Sequence, residues 1–253
     1  MSVTLSELIN HLDELLDVKN INDYCPNGLQ VEGRDQVTKL ITGVTASEAL
    51  IDVAIEHKAD AILVHHGYFW KGESQVIKGM KKNRIAKLLK HDISLIAYHL
   101  PIDIHPTLGN NAQLANKLDI IDISPVAGVK PNGILMQGKL ANPMAADKFA
   151  KLIKLSLLRE PLVNTARNTD ISTIAWCTGG GQNYIDIAAE HGFDAFLTGE
   201  ASEQTIHSSR EQGIDFFAAG HHATERYGVA NVGEYLSEKF SLEVQFIDIH
   251  NPV

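Results

Sequence analysis

The sequence predicts an α/β protein of two similar lobes, an internal duplication of βαβ units, and three observations support that class. Ala61-Ile-Leu-Val64 is an apolar run entered from Asp60 and closed by Gly67, the pattern of a buried strand in an α/β sheet. Ile51-Asp-Val-Ala-Ile-Glu-His-Lys-Ala-Asp-Ala-Ile-Leu63 resembles Ile185-Asp-Ile-Ala-Ala-Glu-His-Gly-Phe-Asp-Ala-Phe-Leu197 without gaps, at an offset of 134. Ile93-Ser-Leu-Ile-Ala-Tyr-His99 and Asp215-Phe-Phe-Ala-Ala-Gly-His221 are two further strand-like runs. Both end in His-x-x-x-carboxylate, pairing His99 with His221 and Asp103 with Glu225 at an offset of 122.

These repeats place the first lobe at residues 1–126 and the second at 127–253, with 127–169 an unmatched segment that opens the second. Leu5 to Leu16 reads as an amphipathic helix with Leu5, Leu8, Ile9, His11, Leu12, Leu15 and Leu16 on its buried side. Cys25-Pro-Asn-Gly28 is a turn-rich loop. Lys39-Leu-Ile-Thr-Gly-Val44 and its counterpart Thr173-Ile-Ala-Trp-Cys-Thr178 are strands that each lead into a helix. His57 and His191 fall in the last turn of those helices, where cationic groups are favoured, and read as structural. A helix near Asn110 to Leu118 ends the first lobe at about Pro125. In the unmatched segment, Ile134 to Leu140 looks like a strand and Ala145 to Leu155 like a helix. A helix around Ala230 to Lys239 and a strand from Glu243 to Asp248 close the second lobe.

The chain of 253 residues, 44% hydrophobic and 21% charged, is ordinary for a soluble globular protein. No apolar stretch approaches the ~20 residues that cross a bilayer, which argues against a membrane role. The opening Met-Ser-Val-Thr-Leu-Ser-Glu-Leu-Ile lacks the regions of a signal peptide, and two cysteines suit a reducing compartment, so the expected location is cytoplasmic. A net charge of -9 excludes a general nucleic-acid binder, which needs a basic footprint. Twelve histidines are many for this length, and their placement bears following.

His65 and His66 stand at the carboxyl end of a predicted strand, where open α/β sheets bind ligands. Successive strand residues point to opposite faces, so the two imidazoles should diverge and serve one ion each. With Asp103, His221 and Glu225 they form a nitrogen and oxygen donor set without thiolate. Each alone is more often structural; together, at matched strand ends, they read as a dinuclear site for two divalent ions, with Zn, Mn, Fe or Ni all compatible. Asp103 and Glu225 are the natural bridges, and paired ions ~3.5–4 Å apart clamp the attacking and leaving oxygens of a hydrolysis. His99 could be a ligand, an orienter of a ligand or a proton shuttle, and His222 could face substrate, so both are catalytic candidates. His105 precedes Pro106 and shapes its loop. Gly179, Gly180 and Gly181 lie between a strand and a helix, where their amides could contact a phosphate, although a tight structural turn fits equally well.

Leu63-Val-His-His-Gly67, Ala97-Tyr-His-Leu-Pro-Ile-Asp103 and Gly220-His-His-Ala-Thr-Glu225, with the early Pro26-Asn-Gly-Leu-Gln-Val-Glu-Gly33, resemble the motifs of the NIF-three-like proteins, the GTP cyclohydrolase I type 2 homologues, in their short bacterial form. The resemblance implies two α/β lobes facing a central cleft with a dinuclear metal site. It implies His65, His66, Asp103, His221 and Glu225 as the ligands, and a ring-shaped homohexamer. Many relatives carry an aromatic residue where this chain has His222. The implied activity is metal-dependent hydrolysis of a nucleotide or related small molecule, on the pattern of a GTP cyclohydrolase. A non-catalytic metal carrier or metallocofactor-handling protein would use the same ligands, and so would an interaction factor whose metals only hold its lobes together.

Overall fold

Strand-length apolar runs and amphipathic helices alternate along the chain as the sequence predicts. The computed structural model describes residues 2–253. It begins with β1 (Val3–Thr4), α1 (Leu5–Leu15), β2 (Gly28–Val31), β3 (Gln36–Val37) and β4 (Lys39–Thr45). Next come α2 (Glu48–Glu56), β5 (Ala61–His66), α3 (Gly79–His91), β6 (Ser94–Ala97), α4 (Leu100–Ile104) and α5 (Asn110–Lys117). β7 (Ile120–Pro125), β8 (Met136–Met144), α6 (Ala146–Leu157), β9 (Leu162–Asn164) and β10 (Ile171–Trp176) follow. The chain closes with α7 (Ile185–Glu190), β11 (Ala195–Thr198), α8 (Glu203–Gln212), β12 (Asp215–Ala218), α9 (His221–Phe240) and β13 (Glu243–Phe246). None of the described helices is long and apolar enough to cross a membrane.

The first compact unit takes the chain up to Ile102 and Gly228–His250. Its five-stranded sheet runs β13-β4-β5-β6-β2, with parallel pairing from β13 through β6 and an antiparallel β2 at the edge. α1 starts where the Thr4 side chain accepts the Glu7 amide at 3.2 Å, and it buries Leu5, Leu8 and Leu12. α2 is capped in the same way by Ser47, which accepts the Leu50 amide. Its Leu50, Ile51 and Ala54 pack with Leu88 of α3 over Ile41, Ile62 and Leu95 of the sheet.

The second unit takes Asp103–Tyr227 and Asn251–Val253. Its six-stranded sheet runs β7-β8-β10-β11-β12-β9, parallel only across β10, β11 and β12. The segment without a repeat partner supplies β8, α6 and β9 to it. Phe149, Ile153 and Leu157 of α6 pack against Trp176 and Phe217, and the Phe149 and Phe217 rings meet edge to face at 5.0 Å.

Both units hold the first of their parallel strands, β4 and β10, with the same device. Asp60 accepts the Thr38 and Lys39 amides at 2.8 and 2.9 Å and pairs with Arg34 at 3.0 Å. Asp194, 134 residues on, accepts the Ser172 and Thr173 amides at 2.9 and 2.8 Å and pairs with Arg167. The strand register repeats at the same offset, Leu40 opposite Ala61 and Ile174 opposite Ala195. Burial raises the Asp194 carboxyl, but the two amides, Arg167 and the Thr173 hydroxyl outweigh it and hold the group below its ordinary value. A carboxylate depressed on folding stabilises above its unfolded pKa of 3.8, and that stability disappears as pH falls through the lower folded value. Asp194→Asn is therefore expected to lower the urea midpoint at pH 7, with the gap to wild type narrowing below pH ~4. A gap that stays constant with pH refutes the charge argument.

Three expectations differ from the structure. The division at 126/127 gives way to an exchange of ends: β7 pairs with β8 in the second sheet, and β13 pairs with β4 in the first. A repeat shows which segments are alike, not which sheet edge a terminal strand will join. The helix expected from Ala230 begins at His221, nine residues earlier, because its first turns carry His221, His222 and Glu225 in place of an apolar stripe. The offset of 122 also slips: Ser94 and Asp215 occupy the same register opposite Ala61 and Ala195, an offset of 121, so His221 lies one residue past the strict equivalent of His99.

Candidate metal centre

In the first unit the site is a histidine cluster at the end of β5. His65 is fully buried, and its Nδ1 lies 3.2 Å from the Tyr98 carbonyl. A carbonyl only accepts, so Nδ1 carries the proton and the Nε2 lone pair is left for a ligand. His66 Nδ1 lies 3.3 Å from the Thr45 hydroxyl. The two rings are thus tied to opposite neighbouring strands, yet their centroids are only 4.4 Å apart. This corrects the expected divergence: at the last residues of a strand the side chains lean past its end, where no further pleat separates them.

His99 completes the group at 5.1 Å from His65 and 5.7 Å from His66, with the Trp70 ring edge-on to it at 4.8 Å. Ligand atoms of the three histidines lie within 4.8 Å of one another. His99 Nδ1 sits 2.7 Å from Asp23 Oδ1, and Asp23 Oδ2 accepts the Leu100 amide at 2.8 Å and the Asn27 amide group at 2.9 Å. Asn27 in turn accepts the His99 amide at 2.7 Å. Burial raises the Asp23 carboxyl, but His99 and Asn27 outweigh burial and hold it low, so it stays a carboxylate and orients the ring. Cys25 lies in the same loop, where burial with the Asp23 charge pushes its thiol up to about 12, and its sulfur lies within 4.8 Å of ligand atoms of Asp23 and His99.

In the second unit the carboxylates dominate. Asp103 is 4% exposed and accepts the Asn110 side chain at 2.8 Å and the Thr178 hydroxyl at 3.2 Å. Thr178 is held by its amide on Asn111 Oδ1 at 3.1 Å, and Asn111 is anchored on the Gly133 and Ile134 carbonyls. His221 and Glu225, one helical turn apart at the start of α9, approach to 3.1 Å. On its other nitrogen His221 meets Glu200 at 2.6 Å. Burial lowers the His221 imidazolium, but the Glu225 and Glu200 carboxylates override burial and raise it to about 9.

The donors fit a divalent cation by their chemistry. His221 and Glu225 at one helix end, with Asp103 on α4, are a borderline nitrogen and hard oxygen set. A β-carbon at Gly179 would stand 2.0 Å from Glu225 Oε1, so the absence of a side chain there is what lets this carboxylate occupy its place.

The structure groups His65, His66 and His99 within the first unit, and His221 and Glu225 within the second. His222 is mostly buried, and its amide donates to the main-chain oxygen of Val253 at 3.0 Å. The Gly179 and Gly181 amides donate to the Thr224 and Thr198 hydroxyls at 3.0 and 3.1 Å, so a phosphate contact through this turn would have to use other donors. His105 Nδ1 accepts the Leu108 amide at 3.0 Å and shapes its loop, as expected. Sequence reasoning missed Asp23, Asn27, Asn110, Asn111 and Glu200. Glu200 alone left a signal, because it occupies the repeat position of His66.

The family model for Duf34/NIF3 (NGG1p interacting factor 3) matches residues 3–252. A GTP cyclohydrolase 1 type 2 homolog of Pseudomonas aeruginosa is 55% identical over 252 residues, covering 100% of both chains. That of Escherichia coli K12 is 53% identical over 248 residues, covering 98% of both. The solved structure of protein ybgI, described as of unknown function, is similar with a TM-score of 0.96 at 52% identity, covering 99% of this chain and 100% of that one. A Thermus thermophilus protein matches with a TM-score of 0.90 at 31% identity, over 99% of this chain and 100% of that one. With matches of this extent over the full fold, the chain belongs to the Duf34/NIF3 family.

Proposed function

We propose that the chain is a metal-dependent hydrolase acting on a nucleotide or related small molecule, with two divalent ions held by His65, His66, Asp103, His221 and Glu225. One observation carries the reading. Each of the three ligand histidines has its Nδ1 against a protein oxygen, Tyr98, Thr45 or Glu200, the arrangement that orients imidazoles to ligate through Nε2. Asp103 and Glu225 supply the negative charge that such ions require. Divalent ions held by these residues would supply Lewis-acid polarisation and charge stabilisation for a hydrolysis.

The chain's own residues supply proton transfer. Asp23 holds His99 with Nδ1 protonated, which leaves Nε2 to take or give a proton, and the Trp70 ring packs edge-on against the imidazole. The name shared by the relatives, GTP cyclohydrolase 1 type 2 homolog, makes purine nucleotides the first substrates to try. The resemblance extends the proposal to a cytoplasmic homohexamer, which sedimentation velocity would read as six times the chain mass.

The test is metabolite profiling with protein loaded in turn with Zn, Mn, Fe and Ni, using Asp103→Ala as the inactive control. Turnover by the loaded wild type alone supports the hydrolase. Silence across nucleotides and phosphoesters, with rapid metal transfer to an acceptor, would replace it with a metal carrier. Once a substrate is found, His99→Gln is expected to cut kcat by roughly 10²–10⁴-fold while two ions per chain remain bound. Loss of an ion in His99→Gln would make His99 a ligand instead.

A further inference from the structure

A cavity of about 540 Å³ opens in the second unit beside Glu200, lined also by Arg159, Gly199, Ala218, Pro252 and Val253. It lies at the carboxyl ends of the parallel strands β11 and β12, where α/β sheets bind ligands, and its volume suits a small molecule. The acids around it are already matched: Glu200 meets His221 at 2.6 Å and Glu160 meets Lys154 at 2.5 Å. Among the described residues Arg159 pairs with no Asp or Glu side chain, and its buried Nε has no hydrogen-bond acceptor. A guanidinium in a partly buried wall with no acidic side chain beside it is suited to receive an anion.

The backbone is shaped to admit it. Gly220 has φ +99°, and a β-carbon there would fall 2.3 Å from Arg159 Nε, so the guanidinium lies directly on the chain one residue before His221. A second donor comes from the first turn of α9, a 20-residue helix whose amino end favours negative charge. Two acceptors already engage these donors: Arg159 donates to the Pro252 carbonyl and the His222 amide to the main-chain oxygen of Val253 at 3.0 Å. The tail thus presents two oxygens to the guanidinium and the helix end, as a tetrahedral oxyanion would.

We propose that this cavity is a phosphate subsite, in which Arg159 and the amide opening α9 receive the phosphate of a phosphorylated small-molecule substrate in exchange for the 251–253 tail. The substrate role rests on the metal-dependent hydrolase reading; binding of phosphate does not.

The full chain, stripped of metal by chelation, is titrated with inorganic phosphate and followed by calorimetry and amide NMR. Saturable binding is expected, with the His222 and Val253 amide resonances moving along the same isotherm. Arg159→Gln should weaken binding about tenfold. Glu160→Gln should not weaken it. Unsaturable binding, an unchanged affinity in Arg159→Gln, or acetate bound as tightly as phosphate overturns the proposal. Phosphate bound only by metal-loaded protein also overturns it and leaves the metal reading intact. Arg159-dependent binding by a chain that takes up no metal keeps the subsite and sinks the hydrolase. Should Arg159→Gln fail to fold, unmoved His222 and Val253 resonances in the wild type decide against it.

Discussion

Asp103→Asn is expected to lower divalent-metal affinity by at least ~100-fold while the metal-free protein melts within a few degrees of wild type. The asparagine keeps the volume of the carboxylate and still offers an oxygen to Asn110 and Thr178, so the buried hydrogen bonds survive. What disappears is the charge. A buried carboxylate is retained at a cost in desolvation, and a divalent ion offsets that cost far better than two neutral donors can. Asp103→Ala differs in kind: it strands the Asn110 and Thr178 donors as well, adding roughly 1–3 kcal/mol of instability for each one left unsatisfied. Metal content by elemental analysis, with melting curves on chelated protein, separates the two effects. Two ions per chain retained at wild-type affinity in Asp103→Asn would remove this residue from the ligand set.

The α/β class and the main strands were legible because buried parallel strands are continuous apolar runs, as in Ala61 to Val64, closed here by Gly67. The repeat aligns Asp60 with Asp194, but nothing in it marks them as clamps on strand amides; that comes from the structure. Sheet-edge membership was not legible, since β13 and β7 carry exposed, weakly patterned residues that fit either edge. The histidines and acids of the candidate site stood out by residue type and position. Their supports did not: Asp23, Asn27, Asn110 and Asn111 lie on a loop or a helix start, where polar residues are common and draw no notice in a sequence. Only folding brings Asp23 to His99, 76 residues away. The candidate ligand types are written locally, whereas the groups that orient their rings come from distant segments.

Gly179→Ala and Gly180→Ala should behave in opposite ways although they are adjacent. At Gly180 the nearest atom to an added β-carbon is Glu200 Oε2 at 3.7 Å, an ordinary contact, so alanine is expected to change stability by less than ~0.5 kcal/mol. At Gly179 φ is +63°, and the β-carbon would meet Glu225 Oε1 at 2.0 Å, its Cδ at 2.9 Å and His221 Nε2 at 3.1 Å. Left-handed backbone costs alanine about 1 kcal/mol, and moving the 3% exposed Glu225 adds more, for roughly 2–4 kcal/mol by urea unfolding. Because Glu225 and His221 are both proposed ligands, metal affinity should fall with stability. Adding Glu225→Ala to Gly179→Ala removes the clash, so the double variant should be more stable than the sum of the single costs allows while still failing to bind metal. Strict additivity, or a Gly179→Ala chain that binds two ions normally, would show that the turn makes no room for Glu225.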